Sequence, residues 1–166
     1  MYLSTAIKLL DREDILQKID IDWVGANNGK GQNFNTGDTG LNNTYYVLKA
    51  NPFLVHKKVM LLYDSDTNKP SSNEGKNFVR KIENNSENQE VTKGIENLLP
   101  QEVFTDEYYT TKEIKNPYGR ENTITDLKKM KLCRYLCDDK KDPNDFVKFK
   151  SVISILDDFI NTIVAD

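Results

Sequence analysis

Asp64 and Asp66 stand one residue apart, directly after the apolar run Val59-Met60-Leu61-Leu62-Tyr63 and ahead of Thr67 and Asn68. Two carboxylates this close repel each other, which makes a cation their natural neutralising partner. The chemistry such a pair offers is the binding of a divalent metal ion. A second acid, Glu96, interrupts the short apolar run Val91-Thr92-Lys93-Gly94-Ile95-Glu96-Asn97-Leu98-Leu99-Pro100. His56 is the only histidine, which argues against histidine triads and multi-histidine zinc sites.

The elements that position the aspartates follow from patterning. A short run of large apolar residues closed by Asp, Thr and Asn reads as a strand buried on both faces of a parallel sheet. Parallel sheets bind ligands beyond the carboxyl ends of their strands, where Asp64 and Asp66 lie. Tyr2, Leu3, Ala6, Ile7, Leu9 and Leu10 fall at helical spacing, and Ile15, Leu16 and Ile19 extend that helix. Ile21 to Gly25 reads as a short strand. Asn27 to Asn43, dense in Gly and Asn and containing Lys30 and Asp38, reads as a flexible loop; it lacks the spacing of a phosphate-cradling loop. Thr44 to Lys49 reads as a helix stopped at Asn51-Pro52.

Asn68 to Glu90 is a polar surface tract broken by one amphipathic piece at Phe78, Val79 and Ile82. Gln101 to Tyr109 reads as helical and Asn116-Pro117-Tyr118-Gly119 as a turn. Two helices are expected to close the chain, about Ile124 to Cys137 and about Asn144 to Val164. The second carries Phe146, Phe149, Val152, Ile153, Leu156, Phe159, Ile160 and Ile163 on one face as core.

The chain of 166 residues suits one domain, without length for a second. A net charge of -3 excludes a uniformly basic nucleic-acid surface, so nucleic acid would be met through clustered lysines or metal ions. Cys133 and Cys137, four apart in a helix-like stretch, read as buried small hydrophobes. With few cysteines, no secretory leader and no apolar segment near the roughly 20 residues that span a bilayer, the expectation is a cytoplasmic chain without membrane contact.

Other D-x-D chemistries fit less well. An EF-hand loop accommodates Asp64, Asp66 and Asn68, but Lys69 replaces its glycine and Gly75 takes the place of its final glutamate. A haloacid-dehalogenase-type phosphatase also ends a strand with D-x-D, but near the chain start and followed by Thr where Asn68 stands. The bland alternative has Asp64 capping a turn and Asp66 merely solvated.

Together, Leu61-Leu62-Tyr63-Asp64-Ser65-Asp66, Lys93 to Pro100 and the opening Tyr2-Leu3-Ser4-Thr5-Ala6 resemble the Toprim domain of OLD-family (overcoming lysogenization defect) nucleases. The resemblance implies an α/β fold: a Toprim-like parallel sheet flanked by helices, with added C-terminal helices from about residue 120. It implies metal-dependent DNA nicking or cleavage in phage defence, with Mg2+ or Mn2+ as cofactor and an ATPase domain upstream. Asp64 and Asp66 become metal ligands and Glu96 a further acidic ligand. The late lysine falls among Lys128, Lys129 and Lys131, with Lys129 preferred; Lys93 is a second candidate, and Glu74 a weaker ligand candidate than an exposed loop acid. Tyr2-Leu3 looks like the continuation of a V-E-G-x-x-D-x-x-Y-L segment whose strand and glutamate would lie upstream of Met1. The expectation is therefore a partial Toprim-like domain over residues 1–166, first strand missing, whose sheet tolerates a gap, recruits a strand or pairs in a homo-oligomer. A non-catalytic Toprim-like module that binds partners is the alternative of a different class.

Overall fold

The computed structural model describes residues 1–27, 33–115 and 121–164, so Lys30 and the turn expected at Asn116 to Gly119 lie outside the described residues. Helix α1 spans Tyr2–Leu9 and buries Tyr2, Ala6 and Ile7. It ends earlier than its periodicity predicts. Asp11 takes a left-handed conformation (φ 57°), Arg12 N–H donates to the Ile7 carbonyl at 2.9 Å and Asp11 N–H to Lys8 at 3.2 Å. These paired bonds form a Schellman stop, which satisfies the last carbonyls of the helix. Arg12 then reaches Asp157 with two bonds of 2.8 and 2.5 Å, fixing the new direction, and Ile15 is buried from a run of turns.

Strand β1 is only Ala26–Asn27, pairing antiparallel with β2, Asn33–Phe34; Ile21 to Gly25 is irregular, not the strand expected there. Helix α2 spans Gly37–Ala50, so the second half of the expected Asn27–Asn43 loop is helix. Its first turn carries Asp38 and its last Lys49, matching the helix dipole, and Asn51-Pro52 stops it as read.

Strand β3, Val59–Tyr63, runs parallel to β5, Asn77–Lys81, which pairs antiparallel with β4, Ser72–Glu74. The sheet order is β3-β5-β4. Thus Phe78 and Val79 are not an amphipathic interruption of a surface tract: they lie in the central strand and are buried. The fold is mixed α and β, but among the described residues the sheet has three strands and β3 lies at its edge, not in an extended parallel sheet. Leu61 and Tyr63 pack with Tyr45 of α2 and Val79, while Met60 packs against the apolar side chains of the C-terminal helix.

Gln101 to Tyr109 is two short 3-10 turns, Gln101–Val103 and Asp106–Tyr108, instead of one helix. Strands β6, Tyr109–Lys115, and β7, Glu121–Leu127, form an antiparallel hairpin. The helix expected from Ile124 therefore starts later. The β-branched run Thr123-Ile124-Thr125 favours extended backbone over helix, and that local preference prevails here. Helix α3 spans Lys129–Arg134, widens to π geometry over Tyr135–Lys140 and ends at left-handed Lys141.

A 3-10 segment, Pro143–Phe149, leads into α4, Lys150–Val164. The predicted stripe is core: Phe146, Phe149, Val152, Ile153, Leu156, Phe159 and Ile160 are buried, and only Ile163 stays exposed. The principal core joins this stripe to α1 and α3. Among the described residues no helix is long and apolar enough to cross a membrane.

Candidate functional site

The site is built where β3 ends. Backbone bonding continues one step past the strand pair, with Ile82 N–H donating to the Tyr63 carbonyl at 2.9 Å. The chain then turns, Thr67 N–H donating to the Asp64 carbonyl at 3.3 Å and Lys69 N–H to Thr67 Oγ1 at 3.3 Å. This turn leaves Asp64 half-buried and Asp66 exposed. Burial, then Glu96, then Asp66 push the Asp64 carboxyl above its ordinary range, with Lys129 acting in the opposite sense. Residues at 64, 66, 96 and 129 thus share one electrostatic neighbourhood. The Ser65 hydroxyl between the aspartates is buried without a hydrogen-bond partner.

Glu96 is 6 % exposed, and Lys129 Nζ donates to its Oε2 at 2.9 Å. Its position is set by a 3-10 turn, Ile95–Leu98, entered through Gly94 at φ 77°. The glycine is required: a Cβ there would lie 2.8 Å from Glu96 Oε2 and 3.3 Å from Lys129 Nζ.

Asparagines hold the turn from behind. Asn97 Oδ1 accepts from Asn85 N–H at 2.6 Å, and its amide donates to the carbonyls of Asn85 (3.1 Å) and Val91 (2.9 Å). Asn88 donates to the carbonyls of Asn97 and Leu99 and accepts from the N–H groups of Glu90 and Val91. These three side chains are buried. They cross-link residues 85–91 to 97–99 so that Glu96 sits in a nearly closed, fully bonded loop. Sequence reasoning missed them by taking Asn68 to Glu90 as plain surface. The available signal was Asn97 within an apolar run, since a polar side chain buried there needs partners.

The other candidates lie apart. Glu74 pairs with Lys49 at 3.0 Å and accepts from the Tyr45 hydroxyl at 2.8 Å, and these bonds hold its carboxyl below the usual range. Lys93 is exposed. Lys128 and Lys131 both donate to the Glu107 carbonyl at 3.3 Å, leaving Lys129 as the lysine of this cluster that reaches Glu96. Tyr2, a helix residue and part of the opening stretch that carries the resemblance, is buried beside Cys133 and Glu96; burial, then Cys133 and Glu96, push its ionisation up. Cys133 and Cys137 are free and buried as expected, their sulfurs 3.9 Å apart.

Carboxylate and hydroxyl oxygens are hard donors that suit Mg2+ or Mn2+, and a cation would relieve the repulsion that raises Asp64. The donor chemistry at Asp64, Ser65 and Asp66 fits such an ion. Among the described residues, no three or more His, Cys, Asp or Glu side chains converge into a ready-made metal cage.

No family model matches the chain, and no curated protein or solved structure is significantly similar to it.

Proposed function

We propose that this chain is a Toprim-like, metal-dependent DNA-nicking module of a larger OLD-type protein. The observation that carries the proposal is the Glu96–Lys129 contact at 2.9 Å together with Asp64 and Asp66 at the carboxyl end of a strand in a parallel pair, where burial, then Glu96 and Asp66, raise the Asp64 carboxyl. In this reading Asp64 and Asp66 bind Mg2+ or Mn2+, and Glu96 orients the site from its buried turn. The ion, when bound, activates water and neutralises charge on the scissile phosphate. Lys129 keeps more than half of its side chain in solvent while its ammonium touches Glu96, so it is placed to meet a phosphate oxygen as charge develops. The fuller parallel sheet, the upstream ATPase domain and the DNA substrate belong to the same proposal.

The test is plasmid nicking by the protein that carries this chain, with Mg2+ or Mn2+ and with chelator. Nicking that needs the metal and disappears in Asp64→Ala supports the reading; undiminished nicking by that variant defeats it.

One observation favours a second reading, a non-catalytic partner-binding module. The Glu96 carboxylate is already engaged by Lys129, an arrangement that works as a structural ion pair without any metal. Calorimetric titration with Mn2+ separates the two: saturable binding abolished by Asp64→Asn favours the nuclease, and a folded protein that takes up no Mn2+ favours the module.

A further inference from the structure

A cleft of about 400 Å³ opens beside Glu96, between the start of α1, the segment Ile21 to Trp23, the Ile95–Glu96 turn and α3. We propose that this cleft seats a single unstacked nucleobase; the inference rests on the DNA reading above and names what part of the strand the site holds.

The size is that of a small-ligand pocket, in which apolar walls surround a few convergent polar groups. Leu3, Ile21, Ile95 and Met130 supply the walls. Trp23 supplies a stacking surface. It is 59 % exposed, and Gly25 abuts its ring so closely that a Cβ there would lie 2.9 Å from Cζ3. Gly25 adopts φ 131°, a conformation other residues rarely take, so the contact under the indole is built into the backbone. The Asp22 carboxylate accepts from Trp23 N–H at 2.8 Å and further fixes this segment.

The polar groups lie against these walls. The Glu96 carboxylate and the Lys129 ammonium line the cleft, with the buried Tyr2 behind them. A carboxylate acceptor and an ammonium donor side by side match the mixed donor and acceptor edge of a base. A purely apolar ligand would leave the Glu96–Lys129 pair in the cleft without a polar partner. Base stacking on an exposed aromatic ring is tolerant of sequence.

Trp23 is the only tryptophan, so its emission reports on this cleft. The chain is titrated at low salt, in chelator so that no cleavage intervenes, with a short single-stranded oligodeoxynucleotide and with the same strand carrying abasic sites. Saturable quenching is expected with the first, and binding about tenfold weaker with the second. Met130→Glu weakens the quench; Trp23→Ala, followed by anisotropy of a labelled strand, loses about tenfold in affinity. Trp23 and Met130 are exposed, so these substitutions leave the core intact. No saturable quench, equal binding of the abasic strand, or binding unchanged in Trp23→Ala and Met130→Glu overturns the inference. Quenching by the wild-type protein that shows no nicking in Mn2+ removes the nuclease reading and leaves the base site standing; nicking without quenching does the reverse.

Discussion

Lys129 Nζ lies 2.9 Å from Glu96 Oε2, and this contact joins the first turn of α3 to a 3-10 turn 33 residues earlier in the chain. The two partners differ in exposure: the Glu96 side chain is 8 % exposed and the Lys129 side chain 56 %. The acid is committed to the fold, whereas the base is held at the surface by the acid. A buried carboxylate that loses its partner bears the full cost of desolvation, while a largely solvated ammonium returns to water.

Lys129→Ala is therefore expected to destabilise the chain by about 1 kcal/mol, screening by solvent keeping the figure low. Lys129→Ala in a Glu96→Gln background should cost much less. Urea unfolding of the two single variants and the double variant gives the coupling, and a double-mutant cycle with no interaction energy would show that the ion pair is ornamental.

Gly94→Ala tests the same pair through the backbone. The residue adopts φ 77°, and its new Cβ would press on Glu96 Oε2 at 2.8 Å. Strain of about 1–3 kcal/mol is expected from the positive-φ, extended conformation alone, with displacement of the Glu96–Lys129 contact added to it. Thermal unfolding should show the loss, and Mn2+ affinity should change with it. A variant as stable as the wild type would mean that the turn is free to rebuild.

Asn97→Ala removes one acceptor and two donated bonds that serve buried backbone groups of Asn85 and Val91. Leaving those groups unsatisfied is expected to cost about 3 kcal/mol, more than loss of the half-exposed Glu96–Lys129 pair. Asn97→Asp keeps the acceptor but loses both amide donors, and should fall between alanine and the wild type if charge burial is tolerated, or below alanine if it is not. Urea midpoints rank the three proteins, and an alanine variant within about 0.5 kcal/mol of wild type would contradict the role given to the asparagines.

The parts of this molecule that were legible in the sequence share one property: their signal is local and periodic. Helix α4 announced itself by an apolar stripe, α2 by its Asn51-Pro52 stop, and β3 by a short apolar run before Asp64. Competing local terms obscured others. The Schellman stop at Asp11 depends on one residue adopting φ > 0, which no hydrophobic pattern encodes. Thr123-Ile124-Thr125 carries strand preference in a segment whose continuation is helical, and the boundary falls where one term outweighs the other. The site was half legible. Asp64 and Asp66 stand in sequence beside the strand that aims them, but Tyr2, Gly94 and the asparagines act through contacts between distant segments. A Phe78-Val79 pair between polar stretches looks like a surface interruption until β3 and β4 pair on either side of it.

Asp64 makes stability depend on pH in a direction opposite to that of most carboxylates. Burial, Glu96 and Asp66 raise its pKa in the folded chain above the 3.8 of an ordinary aspartate. The folded state therefore holds this proton more tightly than the unfolded state, and the difference stabilises folding only while the proton is bound. As pH climbs from below 3.8 through the raised folded value, folding is progressively penalised, and above that value the penalty is complete. Asp64→Asn has no proton to lose. In chelator, the variant should gain stability over the wild type as pH rises from below 3.8, the gap opening through the raised folded value and staying level above it, as read from unfolding midpoints at several pH values. A gap that does not open as pH rises from below 3.8 would place Asp64 outside the repulsive cluster. Mn2+ should then act on the wild type alone: an ion bound at 100 times its dissociation constant stabilises by about 2.7 kcal/mol, and Asp64→Asn should lose most of that gain. Equal stabilisation of both proteins by Mn2+ would assign the ion to another part of the chain.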